Sequence, residues 1–376
     1  MQAVHPAITD RNYTIDLYEG AALGSTKIVG MGGVGIAIAE GSAYMSSNPA
    51  AAAVRPATSN GTWDWDIHLD WLNPQLGDDF DNDGDPNEKV GSAVYLTAGL
   101  LGQWRGWGLG ISASVLRHVV TLPDGSQADP QAVITHALLA RTFWDDVITL
   151  GIGVKVASFT IGPVVGNQRT QTLFDLTGAG VEAGGVWRPK ALPLRVGISM
   201  QSAVSGTNIA QQGCDPMNCQ GFILPNEVDV PWKLAGGVAW RYGTTPWNQK
   251  IAAHWRAERE LVVEADVVVD GPVTNGSGIE AFLQKQLQIS GREASVSPRL
   301  GADFEWIPGW LRVRGGTYWE PGRFFDNKGR IHGTVGLDVG LFSFGFLGDP
   351  YRLCVSLASD AADRYANAAL SIGFWH

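Results

Sequence analysis

The sequence predicts an all-β fold: an antiparallel, up-and-down transmembrane β-barrel of about 14 strands. Three observations carry this. Apolar and polar residues alternate with period two over segments of barrel-strand length. Long and short connections between these segments alternate. Composition suits closed, tightly turning sheets with aromatic belts: the 376 residues include 48 Gly and 15 Trp, and only 17% are charged.

The first strand is Thr62 to Leu72. Trp63, Trp65, Ile67, Leu69 and Trp71 fall on one face; Asp64, Asp66, His68 and Asp70 fall on the other. A helix would mix the two sets. The pattern recurs with Trp107, Leu109, Ile111, Ala113 and Val115 against Gly108, Gly110, Ser112 and Ser114, and with Ile148 to Val156 against Thr149, Gly151, Gly153 and Lys155. It continues at Leu194 to Gln201, Val335 to Leu341, Tyr351 to Leu357 and Ala368 to Phe374. Cys354 lies inside one of these runs as an unpaired small residue. Gln249 to Asp270 reads as one long strand or a bent pair. The glycines in Thr172 to Trp187 are positioned to kink that strand. No run of about 18 apolar residues occurs, so no transmembrane helix is expected; a barrel strand needs only about 9–11 residues, every second one apolar.

Short connections fall at Gly102 to Trp104, Asp145-Asp146, Pro189 to Pro193, Gly243 to Trp247, Ile307 to Trp310 and Leu347 to Pro350. Long ones fall at Asn73 to Lys89, His118 to Pro130, Phe159 to Gln171, Ser205 to Val230, Gly271 to Ala294, Glu320 to Arg330 and Ser359 to Tyr365. Short inner turns and long outer loops are the habit of outer-membrane barrels, whereas a Greek-key sandwich gives no reason for such alternation. Around Ile307 to Trp310 the register pairs Trp306 with Leu311, Glu305 with Arg312 and Asp303 with Arg314. The four charged residues then face the lumen, as a structural charge ladder or as part of a transport path.

Residues 1–60 do not alternate and are read as an N-terminal extension ahead of a barrel spanning residues 61–376. Gly30, Gly32 and Gly35 match G-x-G-x-x-G on paper. Ala43 to Ala50, with Pro49, stops any following helix, and no acid lies about 20 residues on to hold a ribose. The glycines are better read as close backbone packing in a confined space. The segment Gly20 to Pro56, with Gly20, Gly24, Gly30, Gly32, Gly33 and Gly35 followed by Asn48, Pro49 and Ala50, resembles the N-terminal hatch of the FadL family. Softer matches follow in family order: Leu224 to Trp232, Glu264 to Asp266, Arg314 to Pro321 and Arg330 to Asp338. The resemblance implies a hatch plugging the lumen, passage of long-chain fatty acids or aromatic hydrocarbons, and sideways release beside a kinked strand, for which Thr172 to Trp187 is the candidate. Some family members instead serve as partners in secretion complexes. The chain ends Phe374-Trp375-His376, one residue past the aromatic with which family barrels usually end.

Other chemistry is sparse. Asp79, Asp81, Asp83 and Gly84 form D-x-D-x-D-G, with Asp85 and Glu88 nearby; carboxylates around a Gly turn suit Ca²⁺, although the twelfth position is Val90 where an EF-hand needs Glu. The other reading is a solvated acidic loop. Cys214 and Cys219 flank a Pro-containing turn and fit a local disulfide or half of a metal site. Ile279 to Ile289 carries Ile279, Phe282, Leu283 and Leu287 at helical spacing, read as an amphipathic helix in an outer loop. No G-x-S-x-G or H-E-x-x-H occurs; His68 among Asp64, Asp66 and Asp70 is the nearest approach to an acid–histidine pair.

The expectation is therefore a non-enzymatic outer-membrane channel for small hydrophobic molecules, gated by the hatch, needing no cofactor beyond possible Ca²⁺ in the Asp79–Glu88 loop. Its partners would be outer-membrane lipid and a hydrophobic small molecule. A net charge of −10 makes nucleic acid an unsuitable partner. Two alternatives stand beside it: a non-transporting barrel that serves other envelope proteins in secretion or motility, and an outer-membrane hydrolase. Met1 to Gly20 lacks a basic start followed by an apolar stretch, so the chain reads as mature, its signal peptide removed.

Overall fold

The computed structural model describes all residues except 1–4, 75, 78, 85–92, 122–124, 166–167, 170–171, 207–213, 254–255, 257, 326, 347–348 and 376. Fourteen strands form a closed barrel. They are β1 (Trp63–Asn73), β2 (Val94–Trp104), β3 (Trp107–Arg117), β4 (Gln131–Phe143), β5 (Ile148–Ile161), β6 (Phe174–Trp187) and β7 (Leu194–Gln201), then β8 (Lys233–Tyr242), β9 (Leu261–Asp270), β10 (Ser295–Ile307), β11 (Leu311–Glu320), β12 (Arg330–Phe346), β13 (Asp349–Ala362) and β14 (Tyr365–Trp375). Each pairs antiparallel with its sequence neighbour, and β14 closes the ring on β1 with Leu69 opposite Ile372. No helix among the described residues is long and apolar enough to cross a membrane.

The alternation read from the sequence separates outside from inside. Leu69 is 54% exposed on the outer face, whereas its neighbour Asp70 is 2% exposed on the inner face. Trp63, Trp104, Trp107, Trp144, Trp187, Trp240, Trp306 and Trp310 are exposed at the end where the short turns lie, and Trp71, Trp232 and Trp319 toward the other. Rings at two levels flanking an apolar band match the interfacial girdles of membrane barrels.

Several local expectations are corrected. The connection placed at Gly243 to Trp247 runs from Tyr242 to Leu261, so the described residues within 249–260 form neither a strand nor a bent pair. There Glu258 and Glu260 draw in Arg241 and Arg256, and Ile251 N–H donates to Ala57 O at 2.9 Å, folding the segment across the short-turn end. The long connection placed at Ser359 to Tyr365 is a two-residue turn, Asp363-Arg364, because β13 and β14 stay paired out to Ala362 and Tyr365. Ile307, not Trp306, pairs with Leu311: a β-bulge lies between Glu305 and Ile307, while Glu305↔Arg312 and Asp303↔Arg314 keep their register. The glycine-interrupted strand β6 pairs with β5 from Phe174↔Ile161 to Trp187↔Ile148 without a register shift. The helix in the 271–294 connection is also shorter than its periodicity suggested, Ile279–Leu283, with Leu287 beyond it.

A 14-strand ring is too wide for side chains from opposite walls to meet, so something else must occupy the lumen. Residues 21–54 do so. Val29, Met31, Val34, Ala37, Met45 and Ala50 to Ala52 are wholly buried. The inward glycines of the wall are what admit a backbone there. A Cβ at Gly108 would run into the Ala52 carbonyl, one at Gly151 into Pro49, one at Gly197 into the Ile36 carbonyl, and one at Gly301 into the Met31 carbonyl. Replacing Gly151 with Leu is expected to destabilise the plugged state by about 1–3 kcal/mol through overpacking. Limited proteolysis should then cut near Pro49 while the barrel keeps its heat-modifiable migration on gels; an uncut, equally stable variant would show that the contact is not tight.

Candidate functional site

The N-terminal segment enters from the long-loop end. Thr14–Asp16 lies parallel to Glu227–Val230 and to Gly276–Ser277 in a small four-stranded sheet over the barrel mouth. It then descends through a five-residue helix, Thr26–Gly30, whose N-cap Ser25 accepts the Ile28 N–H, and reaches β1 at the short-turn end. Gly20 sits against Glu320, Gly30 faces Gly336 across a gap that would place a Cβ 3.0 Å from its Cα, and Gly24 has only ordinary contact with Ile28. Gly32 and Gly33 have φ of +67° and +76°, which favours glycine, and a Cβ on Gly32 would lie 2.7 Å from Thr317 N. Gly35 abuts the ring of Tyr44.

Short irregular helices leave main-chain N–H groups without internal acceptors. The wall supplies them. Asp70 accepts from Thr26 N–H at 2.7 Å, and Asp66 from Ser42 N–H at 2.6 Å. Asp266 accepts from Gly35 and Ile36 at 2.9 and 3.2 Å, and Glu264 from Ala37 at 2.5 Å and Ile38 at 3.3 Å. Asn48, fully buried, caps the 3₁₀ turn Pro49–Ala52: its Oδ1 accepts from Ala50 N–H at 3.0 Å, and its Nδ2 donates to Ile36 O at 2.8 Å. The Asn48-Pro49-Ala50 triplet thus joins two stretches of the plug to each other, with Pro49 at a position where a missing N–H costs nothing.

Below the plug lies a charged layer. Arg314 donates from Nε to Asp303 at 2.9 Å and from Nη2 to Asp338 at 2.6 Å; Arg312 donates to Glu305 at 2.7 Å and to Glu260 at 3.0 Å. Arg195, paired to Glu40 at 2.9 Å, and all of these residues except Asp338 line a polar cavity of about 210 Å³.

Above the plug the chemistry changes. An apolar pocket of about 80 Å³ is bounded below by Leu17 to Leu23 of the N-terminal segment and around by Phe80, Leu116, Phe159, Ile279 and Phe324. Of the charged groups that line it, Asp16 and Arg323 are paired at 2.8 Å, burial raises the Glu19 carboxyl above its usual range, and Asp81 belongs to the acidic turn. His118, also lining it, is pushed down to about 4 by burial against the opposing pull of Asp129, so it is neutral near pH 7. The pocket can therefore take an uncharged apolar guest. Sequence reasoning missed it because its walls come from separate segments that share no motif.

Asp79, Asp81 and Asp83 bring carboxylate oxygens within 4.8 Å of one another; Asp85 and Glu88 lie outside the described residues. Arg330 donates to the Asp79 carbonyl at 2.7 Å and Arg364 to that of Gly84 at 3.1 Å. Burial raises the Asp79 carboxyl above its usual range, with Arg330 opposing. Cys214 and Cys219 are disulfide-bonded, and buried Cys219 belongs to the apolar cluster of the outer loops; Cys354 is free and buried. His68 meets the Ser42 hydroxyl at 3.0 Å, with Asp70 3.9 Å from its other nitrogen. That group adjoins a cavity of only about 20 Å³, room for little more than a water.

Replacing Glu264 and Asp266 together with Ala would strand four plug N–H groups. Each orphan costs ~1–3 kcal/mol. Hydrogen exchange should accelerate at residues 35–38 while barrel amides stay protected; unchanged protection would show that the carboxylates do not hold the plug.

No family model matches the sequence, and no curated protein does. Solved structures do match. The CymD monoaromatic hydrocarbon channel superposes with a TM-score of 0.57 at 13% identity, over 93% of this chain and 96% of that one. A Pseudomonas aeruginosa FadL homologue gives 0.54 at 11% identity over 99% of each chain, and the Ralstonia pickettii toluene transporter TbuX 0.51 at 12% over 93% and 97%. At these identities the likeness is one of architecture, and it is specific: the chain has the FadL-type outer-membrane β-barrel fold.

Proposed function

We propose that this chain lets small hydrophobic molecules, fatty acids or aromatics, diffuse across the outer membrane, with residues 1–60 acting as the hatch. The observation that carries the reading is the apolar pocket seated directly on the N-terminal segment, so that a guest entering from the loops touches the element that must move. The structural neighbours named as hydrocarbon and toluene channels support it.

A sideways exit also has a physical candidate. β6 pairs with β5 over its whole length, but with β7 only from Glu182↔Gln201 to Trp187↔Val196. One further pair of contacts joins Val181 and Ser202, after which the chain turns inward and Val204 covers Gly178 and Gly180 from the lumen side. The upper half of β6 is thus a barrel edge without a β7 neighbour, a place where a guest could pass into lipid with no ladder bond to break.

Ala132 also lines the pocket; Ala132→Trp should fill it and lower liposome uptake of a labelled monoaromatic by roughly tenfold, the equivalent of about 1.4 kcal/mol. Deleting residues 1–48 should make uptake faster and less selective; uptake unchanged in both variants would overturn the channel reading. Dense packing of the lumen is what favours the alternative, a barrel that anchors envelope partners, and uptake no greater than in empty liposomes would leave that one standing. We also propose that the Asp79–Asp83 turn takes Ca²⁺, supported by its convergent carboxylates. Calorimetry should then show binding heat for the unaltered chain and none for Asp81→Ala; no heat in either would end the idea.

A further inference from the structure

Arg188 follows β6 directly, at the short-turn end. Its side chain is 5% exposed, yet among the described residues it has no ion-pair partner. Its Nη2 donates to the Thr149 hydroxyl at 3.2 Å, and its Nε–H has no acceptor. Burial, with Arg195 nearby, brings Arg188 down to about 10, which leaves it cationic at neutral pH. The Nε–H of Arg55, on the last stretch of the N-terminal segment, is likewise buried without an acceptor. Its Nη groups donate to the carbonyls of Gly61 at 2.7 Å and Gln103 at 3.0 Å, tying the end of the plug to the start of the wall.

Both arginines line one cavity of about 480 Å³ at this end of the lumen. Arg105 and Lys250 line it too. Its carboxylates are Asp145, which Lys190 holds, and Asp146, which acts through space on both Arg55 and Arg188; from outside its lining Asp64 acts on Arg55 and Glu40 on Arg188. Cations therefore outnumber acids there. A buried guanidinium without a counter-ion is costly, and the described residues supply none in hydrogen-bonding contact. The fork of a guanidinium matches carboxylate and phosphate oxygens.

We propose that this cavity binds a compact oxyanion, a carboxylate or a phosphate group, between Arg188 of the wall and Arg55 of the plug. The bound anion ties the end of the plug to the barrel. The site is separate from the apolar pocket and stands whether or not that pocket carries cargo.

The test uses the full chain in non-ionic detergent. Calorimetry with inorganic phosphate and with acetate, against chloride at equal ionic strength, should show saturable binding that weakens at least about tenfold in Arg188→Gln, as expected for a lost charge-assisted hydrogen bond. Phosphate should raise the melting midpoint of the unaltered chain and leave that of Arg188→Gln unmoved. Without phosphate, Arg188→Gln should be at least as stable as the unaltered chain, because it removes an uncompensated buried charge; an arginine with a merely structural role would give the opposite result. If Arg188→Gln does not fold, Arg188→Lys keeps the charge, should fold, and should bind more weakly than Arg. Absence of saturable binding of either anion, or affinity unchanged in both variants, overturns the proposal. A phospholipid headgroup carries the same chemistry. In nanodiscs, loss of the phosphate titration with phosphatidylglycerol but not with phosphatidylcholine assigns the site to a headgroup; titration in both assigns it to a free anion.

Discussion

The width of the lumen is the constraint on which the rest of this structure depends. Fourteen strands enclose more space than inward side chains can fill, and a main chain placed inside brings polar groups that must be satisfied. The wall answers both demands. Glycine at inward positions lets the plug backbone lie directly on the strands, and carboxylates at neighbouring inward positions accept its N–H groups. The abundance of glycine and part of the excess of acid over base thus have one cause.

This arrangement divides the lumen by chemistry. At the short-turn end, arginines and acids pair around one polar cavity, and cations outnumber acids in the other. At plug level the acids face backbone amides instead. Above the plug, paired Asp16–Arg323 and a neutral His118 leave an apolar pocket. A molecule crossing from loops to turns would leave a greasy site, meet a plug held by hydrogen bonds, and emerge among charges. Under the proposed function, such a gradient disfavours passage of an apolar guest straight through the charged layer.

Plug and barrel are also interdependent in stability. Each carboxylate that holds the plug would be a buried, uncompensated acid without it, and each wall glycine would face a void. Movement of the plug is therefore least costly in parts where side chains hold it most weakly. Gly24, with only ordinary contact around it, fits that description better than the Asn48-Pro49-Ala50 lock, or than Ala22, whose N–H donates to the Tyr318 hydroxyl at 3.0 Å.

By itself the sequence determined the barrel, the inward and outward faces of its strands, the pairing of Glu305 with Arg312 and of Asp303 with Arg314, and the segment that does not alternate. These follow from period two and local register, which need only neighbouring residues. It misjudged the connections after Tyr242 and Ala362 and the bulge at Trp306, because where a ladder stops depends on cross-strand partners and on charges far along the chain. Only the tertiary structure decided the rest. Asp66, Asp70, Glu264 and Asp266 look like any polar strand face until the plug amides arrive. The apolar pocket and the Arg55–Arg188 cavity are built from segments separated by scores of residues, whose meeting no local pattern encodes.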